Sequence, residues 1–238
     1  MATANTFRRR DGRKPGELRP VKLTRGYIGS ADGSCLIEIG GTRVICTASL
    51  IEETPGWRDE RLGWVTAEYG MLPASTSGRR PRRQDGRATE IQRLIGRSLR
   101  SIVRFDKMPG TTIYLDCDVI EADGGTRTAS ITGAYVALAD CIAVGTKAGL
   151  VNKGVLKGGV AAVSVGIVDH TPLLDLCYEE DSGADVDMNL VMTSGGKFIE
   201  IQGTSEGAPF GAHQLEKMLR LGRKGIRQLL SIQRQILD

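Results

Sequence analysis

Between Thr111 and Ala148 the chain changes its hydrophobic period in mid-course. In "TTIYLDCDVI" (111–120), Ile113, Leu115, Cys117 and Val119 occupy every second position. That period of two fits a strand with one face in a core. After the turn "EADGGTR" (121–127), Ile131, Ala134, Tyr135, Leu138 and Ile142 recur at helical spacing instead. Other segments repeat the contrast. "CLIEI" (35–39) and "RVICTASL" (43–50) flank Gly40-Gly41 as a β-hairpin, and "GWVTAEYGMLP" (63–73) reads as extended. A polar stretch (74–87) then leads into a helix in which Ile91, Leu94, Ile95, Leu99, Ile102 and Val103 share one side. "GGVAAVSVGIV" (158–168) and "PLLDLCY" (172–178) read as strands. "ADVDMNLVMT" (184–193) alternates, with Asp185, Asp187 and Asn189 opposite the apolar face. A last helix runs from about Pro209 to Asp238. Strand hairpins interleaved with three helices predict an α+β fold, mixed sheets with packed helices.

The 238 residues suit one domain, or two small ones sharing a core. The unbroken apolar runs are far shorter than the ~18 residues of a membrane span. Met1 to Arg13 is polar and arginine-rich, unlike a secretory signal. No C-x-x-C pair occurs among the five cysteines, which predicts reduced thiols in a cytoplasmic protein. With two histidines in the chain, a zinc site and a histidine-centred mechanism are both disfavoured.

The net charge of +4 is unevenly spread. Residues 1–110 carry 21 Lys/Arg against 12 Asp/Glu, and residues 111–238 carry 11 against 16. A basic half beside an acidic half suits a phosphate ligand with a divalent cation, or simply a charge-mixed surface.

Three features carry candidate chemistry. Both internal helices start beside an arginine, at "DGR" (85–87) and "GGTR" (124–127). A helix N-terminus leaves N–H groups unpaired and favours anions. Gly125 admits an oxyanion close to the backbone, Thr126 adds a hydroxyl and Arg127 a planar fork. This is either a phosphate cradle or a plain strand-to-helix corner capped by Thr126 or Thr128. The second feature, "GRRPRR" (78–83), puts Arg79, Arg80, Arg82 and Arg83 on one loop. It is either a solvated loop or a sequence-tolerant contact for an RNA backbone, since no aromatic residue there stacks bases. The third is "DLCYEEDSGADVDMN", where Asp181, at a loop end, and Asp187, on a strand, either hold Mg²⁺ or belong to an acidic hairpin facing water.

Several long stretches together identify a family. "GWVTAEYGMLP", "EIQRLIGRSLR", "LDCDVIEADGGTRTASITGAYVALAD", "DLCYEEDSGADVDMNLVMT" and "EIQGTSEGAPF" resemble ribonuclease PH, in order and over nearly the whole chain. The resemblance implies a single ribonuclease PH domain over residues 1–238, with a βαβα fold like the second domain of ribosomal protein S5. It implies a phosphate-dependent 3′→5′ exoribonuclease that trims the 3′ ends of tRNA precursors and other RNA, releases nucleoside diphosphates and can run in reverse. It also implies a Mg²⁺ requirement and a hexameric ring built as a trimer of dimers. On this resemblance Arg87, Gly125, Thr126 and Arg127 bind inorganic phosphate. Asp181 and Asp187 hold the metal and give a proton to the leaving 3′ oxygen. Arg79, Arg80, Arg82 and Arg83 correspond to the family's RNA-guiding loop by region and type, and the loop is a few residues shorter than the resemblance leads one to expect. The alternative is a catalytically silent, RNA-binding ring subunit, which would be expected to lack one of Arg87, Arg127, Asp181 or Asp187. A two-metal hydrolytic nuclease would want a denser carboxylate set.

Overall fold

The computed structural model describes residues 9–82 and 85–238. Two sheets build the molecule. The first has five strands in the order β1-β2-β3-β5-β4: β1 (Val21–Arg25), β2 (Gly33–Ile39), β3 (Thr42–Ile51), β4 (Trp64–Met71) and β5 (Thr112–Glu121). Its pairings are antiparallel except for β4 beside β5, which run parallel. The second sheet is antiparallel, in the order β7-β6-β8-β9: β6 (Val160–Val168), β7 (Thr171–Leu174), β8 (Val186–Thr193) and β9 (Phe198–Ser205).

Helix α1 (Gly86–Arg100) packs on β4. Helix α2 (Thr126–Lys147) lies between the sheets, against β2 and β3 on one side and β6 on the other. That placement explains why its sequence is apolar nearly all round, as a core helix must be. By length and composition α2 passes as a membrane span, yet 72% of that stretch is buried inside the fold. Helix α4 (Ala212–Leu237) covers the far side of β6 and β7.

The strands divide their side chains accordingly. Val160 and Ala162 of β6 join the core around α2, while Ala161, Val163, Val165 and Ile167 join Met218, Ile226 and Leu229 of α4. Val186, Met188, Leu190 and Met192 of β8 share that second core, as their alternation predicts. All five cysteines are free thiols, and four of them are buried.

Two local readings change, and one strand goes unread in the sequence. Strand β1 has no alternation strong enough to announce it, and it forms by pairing with β2. "PLLDLCY" is not one strand. β7 ends at Leu174, Asp175 takes a left-handed φ of 55°, and the chain turns into a short helix α3 (Tyr178–Ser182). Asp181 therefore sits on a helix rather than at a loop end. Asp185 precedes β8 and takes no place on its face.

Candidate active site

A cavity of about 440 Å³ opens where the C-terminal end of β4, the starts of α1 and α2, α3 and β8 meet. Arg87, Gly125, Thr126, Arg127, Asp181 and Asp187 all line it. These six come from stretches spread over a hundred residues, and the fold brings them to one place. Arg80 reaches the same wall. It also lines a neighbouring groove of about 530 Å³ together with Arg82 and Arg87. Arg79 is exposed and lines neither space. Arg83 lies outside the described residues.

The two helix starts differ. Asp85 caps α1, its Oδ1 accepting the Ala88 N–H at 2.8 Å. A carboxylate thus already occupies that N-terminus, and the start of α1 contributes Arg87 rather than an open anion site. The start of α2 has no such cap. Gly125 stands at the N-cap with φ 69°, and among the described residues no side-chain cap bond is made there. Thr128, a possible cap from sequence, instead donates its hydroxyl to the Gly125 carbonyl at 2.9 Å. The uncapped start of α2 thus lines the cavity through Gly125, Thr126 and Arg127, and an uncapped helix start attracts an anion.

The side chains around that start are held from behind. The Thr126 hydroxyl lies 2.9 Å from the Tyr69 hydroxyl. With Tyr69 donating, the Thr126 proton stays available to a ligand. Arg127 donates from Nη1 to Gln202 Oε1 at 3.0 Å, and Gln202 in turn donates to Glu90 at 2.7 Å. Glu90 also pairs with Arg127 at 3.8 Å. Tyr69, Glu90 and Gln202 escape sequence reasoning because each lies on a different element from the residue it orients. Each had one signal, its place in a quoted motif, "GWVTAEYGMLP", "EIQRLIGRSLR" or "EIQG", but nothing tied it to its partner.

The carboxylates face the arginines across the cavity. Burial pushes Asp187 up to about 6, the charge of Asp181 adds to it, and Arg127, Arg87 and Asn189 pull only part of the way back. Burial likewise raises Asp181 against the pull of Arg87, Arg127 and Arg19. Carboxylates perturbed in this way in a cleft mark a functional site. Asn189 of β8, which lines the cavity, donates weakly to Asp187 at 3.5 Å. Among the described residues no three His, Cys, Asp or Glu side chains form a metal cage.

Comparisons with known proteins show the family. Residues 17–143 match the model of the 3′ exoribonuclease family, domain 1, and residues 158–225 match that of domain 2. The chain belongs to the 3′ exoribonuclease family. Within it, the chain is 53% identical over 235 residues to Ribonuclease PH of Neisseria meningitidis serogroup C, covering 96% of this chain and 97% of that one. The serogroup A protein of the same name matches equally well. Among solved structures, rice Rrp46 superposes with a TM-score of 0.81 at 19% identity, covering 97% of this chain and 100% of that one. An Archaeoglobus fulgidus exosome chain, solved with RNA bound to the active site, gives a TM-score of 0.81 at 21% identity, with coverage of 94% and 92%. These two likenesses establish the α+β fold that the sequence predicts. Membership with such close relatives makes the activity that of a phosphorolytic 3′→5′ exoribonuclease, for which inorganic phosphate is a substrate.

Proposed function

We propose that the cavity carries out this phosphorolysis, with the uncapped start of α2 as the phosphate site and the carboxylate pair as the site of proton and metal chemistry. The observation that carries the assignment is the open helix start and two arginines facing two perturbed carboxylates in one cavity. Inorganic phosphate sits on the first-turn N–H groups of α2, with Thr126, Arg127 and Arg87 around it. A phosphate oxygen attacks the phosphorus of the last phosphodiester, and the bond from that phosphorus to the 3′ oxygen breaks. The terminal nucleotide leaves as a nucleoside diphosphate, and the shortened RNA takes up a proton on its 3′ oxygen. Asp187 or Asp181 supplies that proton, since both are held above the ordinary carboxylate range. Arg87 and Arg127 offset the repulsion between the two anionic substrates and align them.

The donor set also suits Mg²⁺. Two carboxylates beside a phosphate site fit a hard cation that keeps several waters and takes substrate oxygens. The carboxylate of the pair that does not give the proton, Asp181 or Asp187, would hold it. When bound, it supplies charge neutralisation at the reacting phosphates.

The loop arginines Arg80 and Arg82, with Arg79 and Arg83, guide the RNA 3′ end toward this cavity. The substrates are tRNA precursors and other RNA 3′ ends. The chain works as one ribonuclease PH domain, since the cavity draws on both matched regions, and assembles as a ring, a trimer of dimers. Five free thiols agree with a cytoplasmic setting. The test is to incubate the protein with Mg²⁺ and a tRNA bearing a short 3′ extension, with and without inorganic phosphate. Nucleoside diphosphates formed only with phosphate support the reading. Monophosphates formed without phosphate would overturn it.

A further inference from the structure

The phosphate side of the cavity and its carboxylate side come from different matched regions of the chain. Gly125, Thr126 and Arg127 lie in residues 17–143, and Asp181 and Asp187 lie in residues 158–225. A largely buried ionic network behind the cavity links the two sides. The Asp175 carboxylate accepts three bonds from Arg19: from its backbone N at 2.7 Å, from Nε at 3.1 Å and from Nη2 at 2.7 Å. The same guanidinium turns to the phosphate loop, where Nη1 donates to the Asp123 carbonyl and Nη2 to the Gly124 carbonyl at 3.4 Å. Asp123 closes the circuit, its Oδ1 accepting the Tyr178 N–H at the first turn of α3 at 3.1 Å. Arg9 holds the same N-terminal part of α3, bonding Glu180 at 2.7 and 2.5 Å and the Asp175 carbonyl at 2.7 Å.

Arg9, Arg19 and Asp175 are 3%, 5% and 3% exposed. Two arginines so deeply buried are committed to these partners, because an unpaired charge there would be costly. Asp175 also holds a left-handed φ that a residue with a Cβ adopts only when its surroundings impose it.

We infer that Arg19 and Asp175, assisted by Arg9 and Glu180, are positioning residues that clasp the phosphate loop to the carboxylate-bearing helix α3 and so set the distance across which phosphate attacks. The clasp rests on the site assignment proposed for the cavity. Arg9 and Arg19 are then part of the working site, although neither lines the cavity.

The test uses the full-length protein. Arg19→Lys keeps the charge and removes the fork, so the loop loses its second anchor. Arg25→Lys is the control, since Arg25 joins β1 to α2 through Asp140, near the C-terminal end of that helix. Each variant is assayed below its own unfolding temperature. For Arg19→Lys the expected result is a phosphate KM raised, and kcat/KM for phosphate lowered, about tenfold or more, as a misplaced catalytic group produces. Phosphate affinity by titration calorimetry falls in parallel, and affinity for a short RNA without phosphate stays within about twofold, because the loop arginines that grip it are untouched. Arg25→Lys leaves all three unchanged. Phosphate KM and kcat of Arg19→Lys equal to wild type would overturn the clasp, as would an equal loss of phosphate and RNA binding. Absence of diphosphate release by the wild type would instead remove the site assignment beneath it.

Discussion

Gly124 and Gly125 are neighbours with nearly the same backbone, and the structure separates what they do. Their φ angles are 74° and 69°, so alanine at either position pays for a left-handed conformation, about 1–2 kcal/mol. At Gly125 the added methyl meets Arg19 Nη2 and Thr128 Oγ1, both at 3.3 Å, a contact relieved by a shift of a few tenths of an ångström. At Gly124 it meets main chain: the Leu176 carbonyl oxygen at 2.6 Å, the Cys177 carbonyl carbon at 2.7 Å and the Tyr178 nitrogen at 2.9 Å. The phosphate loop and the entry to α3 must then move apart, adding an overpacking cost of about 1–3 kcal/mol. Gly124→Ala should therefore lose about 2–5 kcal/mol, and Gly125→Ala about 1–2 kcal/mol. Urea unfolding at one fixed protomer concentration reads the difference. The same displacement carries Asp181 away from the phosphate site, so Gly124→Ala should also lose about 100-fold in kcat, the scale of an ångström-sized misplacement. Equal stability of the two variants, or full turnover by Gly124→Ala, would refute the claim that backbone packing between loop and α3 sets the site.

Other perturbations separate the parts of the cavity. Arg127→Ala should lower phosphorolysis by about 100-fold or more while leaving RNA affinity unchanged, as removal of one transition-state donor does; full activity in a single-turnover assay would exclude the cradle. Asp187 is raised in the folded state to about 6, from an ordinary value of 3.8. The folded protein thus holds a proton that the unfolded chain releases, and stability falls as pH rises through that window. Metal-free Asp187→Asn should be more stable than wild type at pH 7.5, by about 1–3 kcal/mol, and equal to it at about pH 3; a gain that persists at low pH would contradict the assigned cause. Changing the loop arginines Arg79, Arg80, Arg82 and Arg83 to glutamine should weaken RNA binding and flatten its salt dependence, by about 0.7 in slope for every RNA phosphate that is no longer neutralised. An unchanged slope would remove the loop from the RNA path.

Hydrophobic period, read along the chain, places most of the elements. The switch from alternation to helical spacing across Gly124-Gly125 marks β5 and α2, and the clean alternation from Val186 to Met192 marks β8 with its apolar face inward. Both signals are local, because burial of one face is written in neighbouring residues. The site residues were legible as chemical types at the ends of those elements, and the long family motifs assigned them roles. Only the packed molecule shows that the start of α1 is filled by Asp85 while the start of α2 is open. Packing also broke "PLLDLCY" at Asp175, whose carboxylate answers Arg19 from 156 residues away, and so turned the next residues into α3. It set Gln202 behind Arg127, 75 residues distant. No periodicity can encode such pairs. A single buried hydrogen-bonded charge leaves no repeating pattern in the chain, and its partner is chosen by how the two sheets pack around α2.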